Sequence, residues 1–389
     1  MTEDREIIYL DYAATTPTDP RVVEAMLPYF TQRFGNAASR THFYGQEASD
    51  AVKTARQQIA DLIHAEKSED IIFTSGATEA INLAIIGSFE ASGRKDFHMI
   101  TALTEHKAVL DTCAYIESQG AEVTYLGVDS NGLINLEELT QSFRPNTKLV
   151  SIMYANNETG VIQPIEKIAA LTHIHHAMFF TDATQALGKT EIDVRKMAID
   201  LLACSAHKLY GPNGIGALYI DRSYISKSQL MAHMHGGGHE GGFRSGTLNT
   251  PGIVGFGQAC ALAKKEMGEE AARISKIAQR IVEGVSKISD FTLNTDTVDK
   301  LPNIISFRFG DIDAEAIIIQ SKNSIALSNG SACTSKEIKP SHVLMAMKND
   351  PNIAYATLRL SIGRFTDEAE VDEIISAFEK ALEELQAYQ

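Results

Sequence analysis

The chain has 389 residues and a formal net charge of −15, since 35 lysines and arginines face 50 acidic residues; 44% of its residues are hydrophobic and 22% charged. These values are typical of a folded globular protein and exclude a disordered chain, and the acidic balance argues against a basic groove for nucleic acid. The length predicts two or three domains, or one large core with an accessory piece, and suffices to bury a core without disulfides or structural metals.

Neither a membrane span nor a secretion signal is predicted. No run approaches the roughly 20 apolar residues of a span, and the acidic start lacks the basic and apolar parts of a signal peptide. The four cysteines, Cys113, Cys204, Cys260 and Cys333, lie far apart without CxxC spacing, so neither a disulfide framework nor a zinc site is indicated. A cytoplasmic protein without metal is therefore expected.

Short apolar runs typical of buried strands recur in the first part of the chain. They lie at 71–74, 99–103, 123–126, 149–153, 177–181, 201–205 and 216–220. Helical patterns, such as 81–86 and 108–117, lie between several of them. This alternation predicts an α/β fold with a large, mainly parallel sheet that carries helices on both faces.

The pattern changes after Pro251. A long helical segment has isoleucine and valine at spacings of three or four over 274–288, and strand-like pieces follow at 304–307 and 325–327. A final helix is predicted after Thr366, its N-cap, with an apolar stripe that extends to Leu385. We therefore expect a large domain over 15–255 and a smaller α+β domain formed by 1–14 and 256–389.

Polar residues after the strand-like runs are the first candidates for a site, because ligands bind beyond the carboxyl ends of the strands in open α/β sheets. The segment from Ser75 to Thr78 begins a helical pattern and is either a phosphate-binding turn or only a capped turn. His106 follows the next run, where ring stacking, proton transfer and a structural role are all open.

Two charged residues follow later runs. Asp182 ends an apolar run and needs a partner, either an arginine or a protonated heterocyclic nitrogen. Lys208 follows the run 201–205, where burial lowers the pKa of an amine towards a nucleophilic state, unless the side chain extends to solvent. An aspartate, a lysine and a phosphate-type turn at such positions form the set that pyridoxal phosphate requires.

An ordered set of motifs resembles the cysteine desulfurases of the NifS/IscS type, and the matches span about residues 8–365. The segments that carry the resemblance are Leu10–Pro17, Thr74–Glu79, Thr104–His106, Asn156–Gly160, Asp182–Gln185, His207–Lys208, His235–Glu240, Arg244–Thr247 and Gly330–Ser335. The resemblance implies a fold-type I pyridoxal-phosphate enzyme of the class V aminotransferase family. It also implies a homodimer whose subunits share their sites.

The resemblance assigns the central roles by motif position. Lys208 would be joined to the cofactor aldehyde, Asp182 would pair with the pyridinium nitrogen, and His106 would stack on the ring and transfer protons. Arg359 would bind the substrate carboxylate, a task that suits its bidentate fork.

The remaining assignments concern cofactor contacts. Gln185 and Asn157 would lie near the ring hydroxyl, with Asn157 also next to the substrate, and Thr247 would reach the cofactor of the neighbouring subunit. The phosphate site would comprise Ala77, Thr78, Ser205 and His207.

Cys333 decides the predicted chemistry. Its neighbours are small and polar, and an exposed thiol of pKa about 8.5 is a few per cent thiolate near pH 7, enough for nucleophilic attack. Cys113, Cys204 and Cys260 have the surroundings of small buried apolar residues instead. The predicted function is therefore the conversion of L-cysteine to L-alanine, with the sulfur held as a persulfide on Cys333 for transfer to acceptor proteins.

Three alternatives stay open. A selenocysteine lyase uses the same machinery, and a class V aminotransferase would make a keto acid and have little use for Cys333. A non-catalytic sulfur-delivery scaffold is disfavoured, because Lys208, Asp182, His106, Arg359 and Cys333 are all retained.

The sequence also departs from the family pattern. Ala37 stands where proline is frequent, and Asn329 where serine is more usual. The sequence ends at Gln389, soon after the last helix, where members that feed iron–sulfur scaffolds usually carry a longer tail. Iron–sulfur cluster assembly, tRNA thiolation and DNA phosphorothioation therefore all stay open, and any link to nucleic acid is expected to run through an acceptor protein. His233, His235 and His239 are interpreted as part of a glycine-rich loop near the cofactor rather than as metal ligands.

Overall fold

The computed structural model of the chain describes residues 7–288, 290–295, 298–330 and 339–387. Its strands are β1 (Ile8–Tyr9), β2 (Ile71–Thr74), β3 (His98–Ala102), β4 (Glu122–Leu126), β5 (Thr147–Ser151), β6 (Met178–Asp182), β7 (Leu201–Ser205), β8 (Gly216–Ile220), β9 (Phe291–Leu293), β10 (Ile304–Phe309), β11 (Ile325–Ala326) and β12 (Leu358–Ser361). Its helices are α1 (Pro20–Met26), α2 (Pro28–Thr31), α3 (Phe43–Leu62), α4 (Ala77–Ala91), α5 (Lys107–Ser118), α6 (Leu136–Ser142), α7 (Ile165–Ile174), α8 (Thr250–Val285), α9 (Ala314–Ser321), α10 (His342–Lys348), α11 (Pro351–Ala356) and α12 (Val371–Ala387). None of these helices is long and apolar enough to cross a membrane.

A seven-stranded sheet in the order β2-β8-β7-β6-β5-β3-β4 forms the centre of the larger part. The pairs from β7 to β4 are parallel, whereas β8 runs antiparallel to both β2 and β7. Alternate strand residues enter two separate cores: Val150 and Phe179 pack on one face, Leu149 and Phe180 on the other. Burial on both faces explains the uninterrupted apolar runs. The predicted α/β class with a mainly parallel sheet is confirmed.

A second, smaller layer follows in the chain. Strands β9, β10 and β12 form an antiparallel sheet, and β1 pairs in parallel with β11. Their apolar residues pack with α8, α9 and α12 into one core that includes Leu10, Phe307, Leu360 and Phe378. The N-terminal strand therefore packs with the C-terminal part of the chain.

Helix α8 joins the two parts. Its 36 residues run without a break from Thr250 to Val285. Phe256 and Cys260 lie in a core of the large sheet, whereas Ile277 and Ile281 lie in the core of the small one. The predicted boundary at residue 255 thus falls inside a continuous helix, and the two-domain division stays a prediction.

The start of the last helix differs from the expectation. A short 3-10 turn over Glu368–Glu370 leads directly into α12, and its N-cap is Asp367, not Thr366. The Asp367 carboxylate accepts a hydrogen bond from Ala369 N, and the Glu370 carboxylate accepts one from Asp367 N. This reciprocal capping box satisfies two free amides at once. The Thr366 hydroxyl instead accepts a hydrogen bond from Gly363 N.

Close packing of α8 on α3 gives a prediction about stability. A Cβ added to Gly257 would lie 2.5 Å from the Cα of Ala55, which is backbone and cannot move aside. We expect Gly257→Ala to lower the free energy of unfolding by about 1–3 kcal/mol, since overpacking separates the two helices. Gly268→Ala is the matched control on the same helix, because nothing lies within 4 Å of its added Cβ.

The measurement for this pair is chemical denaturation. Gly268→Ala should leave stability unchanged or raise it by up to about 1 kcal/mol through helix propensity. Equal effects of the two substitutions would contradict the proposed close contact.

Candidate active site

A cavity of about 580 Å³ opens beyond the carboxyl ends of the parallel strands β3, β5, β6 and β7. Apart from Cys333 and Thr247, the predicted site residues all line it: Ala77, Thr78, His106, Asn157, Asp182, Gln185, Ser205, His207, Lys208 and Arg359. Arg359 comes from the small sheet, and Asp11 enters from the N-terminal segment. The cavity is thus built by both parts of the chain.

The turn between β2 and α4 forms part of the cavity wall. Gly76 is the N-cap of α4, and no side chain caps the helix. The first amides of a helix have no partner inside it and carry the positive end of the helix dipole. Ser205 ends β7 beside this turn, with its Oγ 4.0 Å from the position of an added Cβ on Gly76. An uncapped helix start next to a hydroxyl fits a phosphate group.

Asp182 is the last residue of β6, and its side chain is 6% exposed. Its Oδ1 accepts a hydrogen bond of 2.9 Å from Thr184 N. Among the described residues, Asp182 forms no salt bridge with a lysine, arginine or histidine. A buried carboxylate that forms no salt bridge fits a ligand that carries a protonated ring nitrogen.

The two histidines of the cavity are held as neutral rings. His106 is the N-cap of α5, and its Nδ1 accepts a hydrogen bond of 3.1 Å from Ala108 N, which leaves Nε2 as the protonated nitrogen. Burial lowers the pKa of His106; Asp182 opposes this shift, and Lys208 adds to it. Burial also lowers the pKa of His207 to about 4. Both rings can therefore stack or donate without carrying charge.

Lys208 ends a short helical turn that follows β7. Its Nζ donates hydrogen bonds to the carbonyl oxygens of Ala13 and Ala14. Burial lowers the pKa of its amine to about 8, and the nearby Arg359 adds to the shift. A partly neutral amine in a cavity is suited to attack a carbonyl carbon.

The lowered pKa of Lys208 gives a testable pH profile. In the cofactor-free protein, labelling of Lys208 by a small aldehyde with borohydride trapping should reach half its maximum near pH 8. The rate rises with pH because only the neutral amine attacks the carbonyl. Mass spectrometry of the Lys208 peptide separates it from other lysines. A yield that still rises past about pH 10, as for an ordinary lysine, would contradict the lowered pKa.

Arg359 has one unused donor. Its Nη2 lies 2.7 Å from Asp11 Oδ1, and its Nη1 donates to Asn157 O at 3.0 Å. The side chain is 5% exposed, and among the described residues its Nε has no hydrogen-bond partner. A buried guanidinium donor without a partner is costly unless a ligand satisfies it. A carboxylate is the ligand that fits this fork.

The three cysteines that the structure describes are buried, as the sequence predicts. Cys113, Cys204 and Cys260 are buried free thiols, and burial raises the pKa of each. This confirms their interpretation as structural residues. Cys333 lies outside the described residues. Gly330, the last described residue before it, lines the cavity.

Thr247 and the histidine-rich loop lie elsewhere. Thr247 is exposed and is not part of the cavity lining. His239 Nδ1 accepts a hydrogen bond of 3.3 Å from Gly246 N, within the glycine-rich loop. In the part of the chain that the structure describes, no group of three His, Cys, Asp or Glu residues has a geometry that could hold a metal ion.

Sequence reasoning missed two acidic residues at the site. Asp11 is the ion-pair partner of Arg359, and nothing local in its motif indicates a residue 348 positions away. Glu105 is completely buried; its Oε1 accepts a hydrogen bond of 2.6 Å from Met153 N, and burial raises its pKa well above the usual value. The sequence does contain an indication of this buried acid, because Glu105 follows an apolar strand just as Asp182 ends one.

Comparison with known proteins places this arrangement in a family. The model of the family described as "Aminotransferase class-V" matches residues 8–374. The chain therefore belongs to the class-V aminotransferase family.

Individual proteins of known name resemble this chain over nearly its whole length. The chain is 48% identical over 380 residues to the protein named "Cysteine desulfurase IscS" of Vibrio vulnificus, which covers 97% of this chain and 93% of that protein. The structure named "NIFS-LIKE PROTEIN" superposes with a TM-score of 0.90 at 34% identity, over 99% of this chain and 100% of that one. "SspA in complex with cysteine" matches with a TM-score of 0.82 at 37% identity, over 92% and 100% of the two chains. The resemblance to the NifS/IscS type is thus confirmed.

Proposed function

We propose that this chain is a pyridoxal-phosphate-dependent cysteine desulfurase, which converts L-cysteine to L-alanine and holds the sulfur as a persulfide on Cys333 for transfer to acceptor proteins. The observation that carries the proposal is the convergence of Lys208, Asp182, His106 and Arg359 on one cavity beside an uncapped helix start. The 48% identity to the IscS protein of Vibrio vulnificus, named a cysteine desulfurase, supports the same activity.

Pyridoxal phosphate fits the donor set of the cavity. The first amides of α4 and the Ser205 hydroxyl would hold its phosphate, Asp182 its ring nitrogen, and Gln185 and Asn157 its ring hydroxyl. His106 would stack on the ring. When bound, this cofactor supplies an aldehyde that joins to amines and a conjugated ring that withdraws electrons from the adjacent carbon.

The chain's own residues then divide the work on the substrate. Arg359 binds the carboxylate of L-cysteine, since its side chain lines the cavity. Lys208, once its amine is free, removes the proton from the substrate Cα, and its pKa of about 8 suits a base near neutral pH. His106 is placed to donate and accept protons during these transfers.

The sulfur step is assigned to Cys333. Its thiolate attacks the Sγ of the bound cysteine, so that a new S–S bond forms while the substrate C–S bond breaks and its electron pair stays on carbon. Protonation of that carbon gives alanine, and the sulfur remains as the Cys333 persulfide. One cysteine and one protein thiol thus give one alanine and one persulfide, without an external oxidant.

The proposal includes a homodimer. Five aromatic and aliphatic side chains near the N-terminus, which we call the N-terminal apolar patch, are 50% to 72% exposed: Leu27, Phe30, Phe34, Phe43 and Tyr44. The rings of Phe34 and Tyr44 stack with their centroids 5.5 Å apart. Exposed apolar clusters of this kind are typical of protein interfaces. We propose that a second copy of the chain covers this patch. Thr247 is exposed, so it could reach the cofactor of that second copy.

We place the enzyme in the cytoplasm, with the sulfur acceptor as a separate protein. The buried free thiols of Cys113, Cys204 and Cys260 are consistent with a reducing compartment. The net charge of −15 supports a protein acceptor rather than direct contact with nucleic acid.

The test is product analysis of the purified, cofactor-loaded protein with L-cysteine and a thiol reductant. We expect equal amounts of alanine and sulfide. When a 2-oxo acid is added as amino acceptor, 3-mercaptopyruvate in place of alanine would identify an aminotransferase, and turnover of L-selenocysteine with none of L-cysteine would identify a selenocysteine lyase. A protein that binds the cofactor but yields no product from either amino acid would contradict catalysis.

Arg359→Lys should separate substrate binding from the chemical steps. We expect the KM for L-cysteine to rise about tenfold or more, because a lysine cannot form the bidentate pair with a carboxylate. Steady-state kinetics of alanine release measures it. Arg280→Lys is the control, since Arg280 pairs with Glu368 at the surface. An unchanged KM in Arg359→Lys would refute the carboxylate role.

A further inference from the structure

Lys189 is a largely enclosed lysine that the proposed reaction does not use. It lines a second, small cavity of about 20 Å³ together with Tyr210, Glu270 and Asn303. Among the described residues, it forms no salt bridge. An amine in such a place costs stability compared with an apolar side chain, so its presence calls for a specific role.

The hydrogen bonds of Lys189 lead into the active site. Its Nζ donates to Gln185 Oε1 at 3.2 Å. Gln185 Nε2 donates to Ala13 O at 2.9 Å. The same carbonyl oxygen accepts a hydrogen bond from Lys208 Nζ. A chain of three contacts therefore connects Lys189 to the reactive lysine.

This chain fixes which way the Gln185 amide points. The amine of Lys189 offers N–H donors, so the oxygen of Gln185 must face it. The carbonyl of Ala13 only accepts, so the NH2 group of Gln185 must face that side. The end of Gln185 next to Lys208 is thus a donor. Reversal of the amide would place two oxygens against each other at Ala13.

We propose that Lys189 is a positioning residue that holds the Gln185 amide with its NH2 group towards Lys208 and the bound cofactor. The inference rests on the proposed function, because a donor at this place serves the ionised ring oxygen of pyridoxal phosphate. Lys189 itself touches neither substrate nor cofactor and acts through Gln185.

The orientation does not depend on the charge of Lys189. Burial lowers the pKa of its amine to about 7; Lys208 and Arg359 add to the shift, and Glu270 on α8 opposes it. Tyr210 and His207 are the other titratable groups that face it. Because the neutral amine also carries N–H donors, the hydrogen bond to Gln185 persists on both sides of pH 7.

The test is a pH titration of the visible absorption of the cofactor-loaded protein. A hydrogen bond donated to the ionised ring oxygen lowers the pKa at which the linkage to Lys208 loses its proton. We therefore expect Lys189→Met to raise this pKa by about one unit, and Gln185→Leu to raise it by a similar amount. The double variant should match Gln185→Leu, since Lys189 acts through Gln185.

The controls separate this role from other effects. Lys196→Met removes an exposed lysine and should titrate as the wild type does. Thermal unfolding of the cofactor-free Lys189→Met protein should show no loss of stability, because methionine replaces a buried amine. An unchanged pKa in Lys189→Met would overturn the proposal. So would a pKa shift on adding Lys189→Met to Gln185→Leu that equals its shift in the wild type. Failure of the wild type to develop the visible band would instead contradict the proposed function.

Discussion

Lys208→Ala is expected to remove the absorption band of the linkage between the cofactor and Lys208 and to abolish the release of alanine from L-cysteine. The substitution removes the amine that is proposed to join the cofactor aldehyde and to act as the base that takes the substrate proton. We expect activity to fall by at least about a thousandfold, since a positioned base alone contributes about 10²–10⁴. Absorption spectroscopy and amino-acid analysis of the same sample measure the two losses.

The proposed phosphate site does not include Lys208, so the variant should still retain pyridoxal phosphate without a covalent bond. Lys196→Ala, at an exposed position, is the control and should keep both the band and the activity. An unchanged spectrum in Lys208→Ala would refute the assignment of this lysine. An altered spectrum with full alanine release would refute its role as the base.

Cys333→Ala should lose the release of alanine but keep the visible band. The residues that are proposed to hold the cofactor belong to the large sheet and the turns after its strands, so the visible band should remain at full strength. Alanine release from L-cysteine should fall below detection, because no thiolate is present to accept the sulfur. Spectroscopy, followed by chromatography of the amino acids, measures both properties on one preparation.

Cys260→Ala provides the matched control for this variant. Cys260 is a buried free thiol whose pKa burial raises, so its loss should leave alanine release intact. Normal alanine release by Cys333→Ala would contradict the assignment. Loss of activity in Cys260→Ala with normal folding would show that sulfur passes through a thiol the account treats as structural.

The strands of the large sheet could be predicted closely from the sequence, because each is buried on both faces. The runs predicted at 71–74, 201–205 and 216–220 are strands with the same bounds in the structure. The position of β8 between β2 and β7, antiparallel to both, could not be predicted. An apolar run reports burial but carries no information about strand direction or order.

The ends of helices were harder to predict. Thr366 and Asp367 are both good N-cap residues, and only the reciprocal bond with Glu370 decides for Asp367. The continuity of α8 across both cores could not be predicted either. Its apolar stripe packs first on the large sheet and then on the small one, while the spacing of its apolar residues stays the same.

At the candidate active site, the locations that could be predicted are those that follow from position on a strand. Asp182 and Lys208 stand at the ends of neighbouring parallel strands, which necessarily meet at one edge of the sheet. The partners of Arg359 could not be predicted, since Asp11 and Asn157 come from distant segments. The proposed role of Lys189 could not be predicted for a similar reason. It depends on the hydrogen bond between Gln185 and Ala13, which only the folded chain forms.

A single turnover without reductant tests the central claim most directly. Cofactor-loaded protein is mixed with L-cysteine, the alanine is counted, and peptide mass spectrometry locates any added sulfur. The account predicts one sulfur on Cys333 for each alanine released, and none on Cys113, Cys204 or Cys260. Alanine without sulfur on Cys333, or a keto acid in place of alanine, would contradict it.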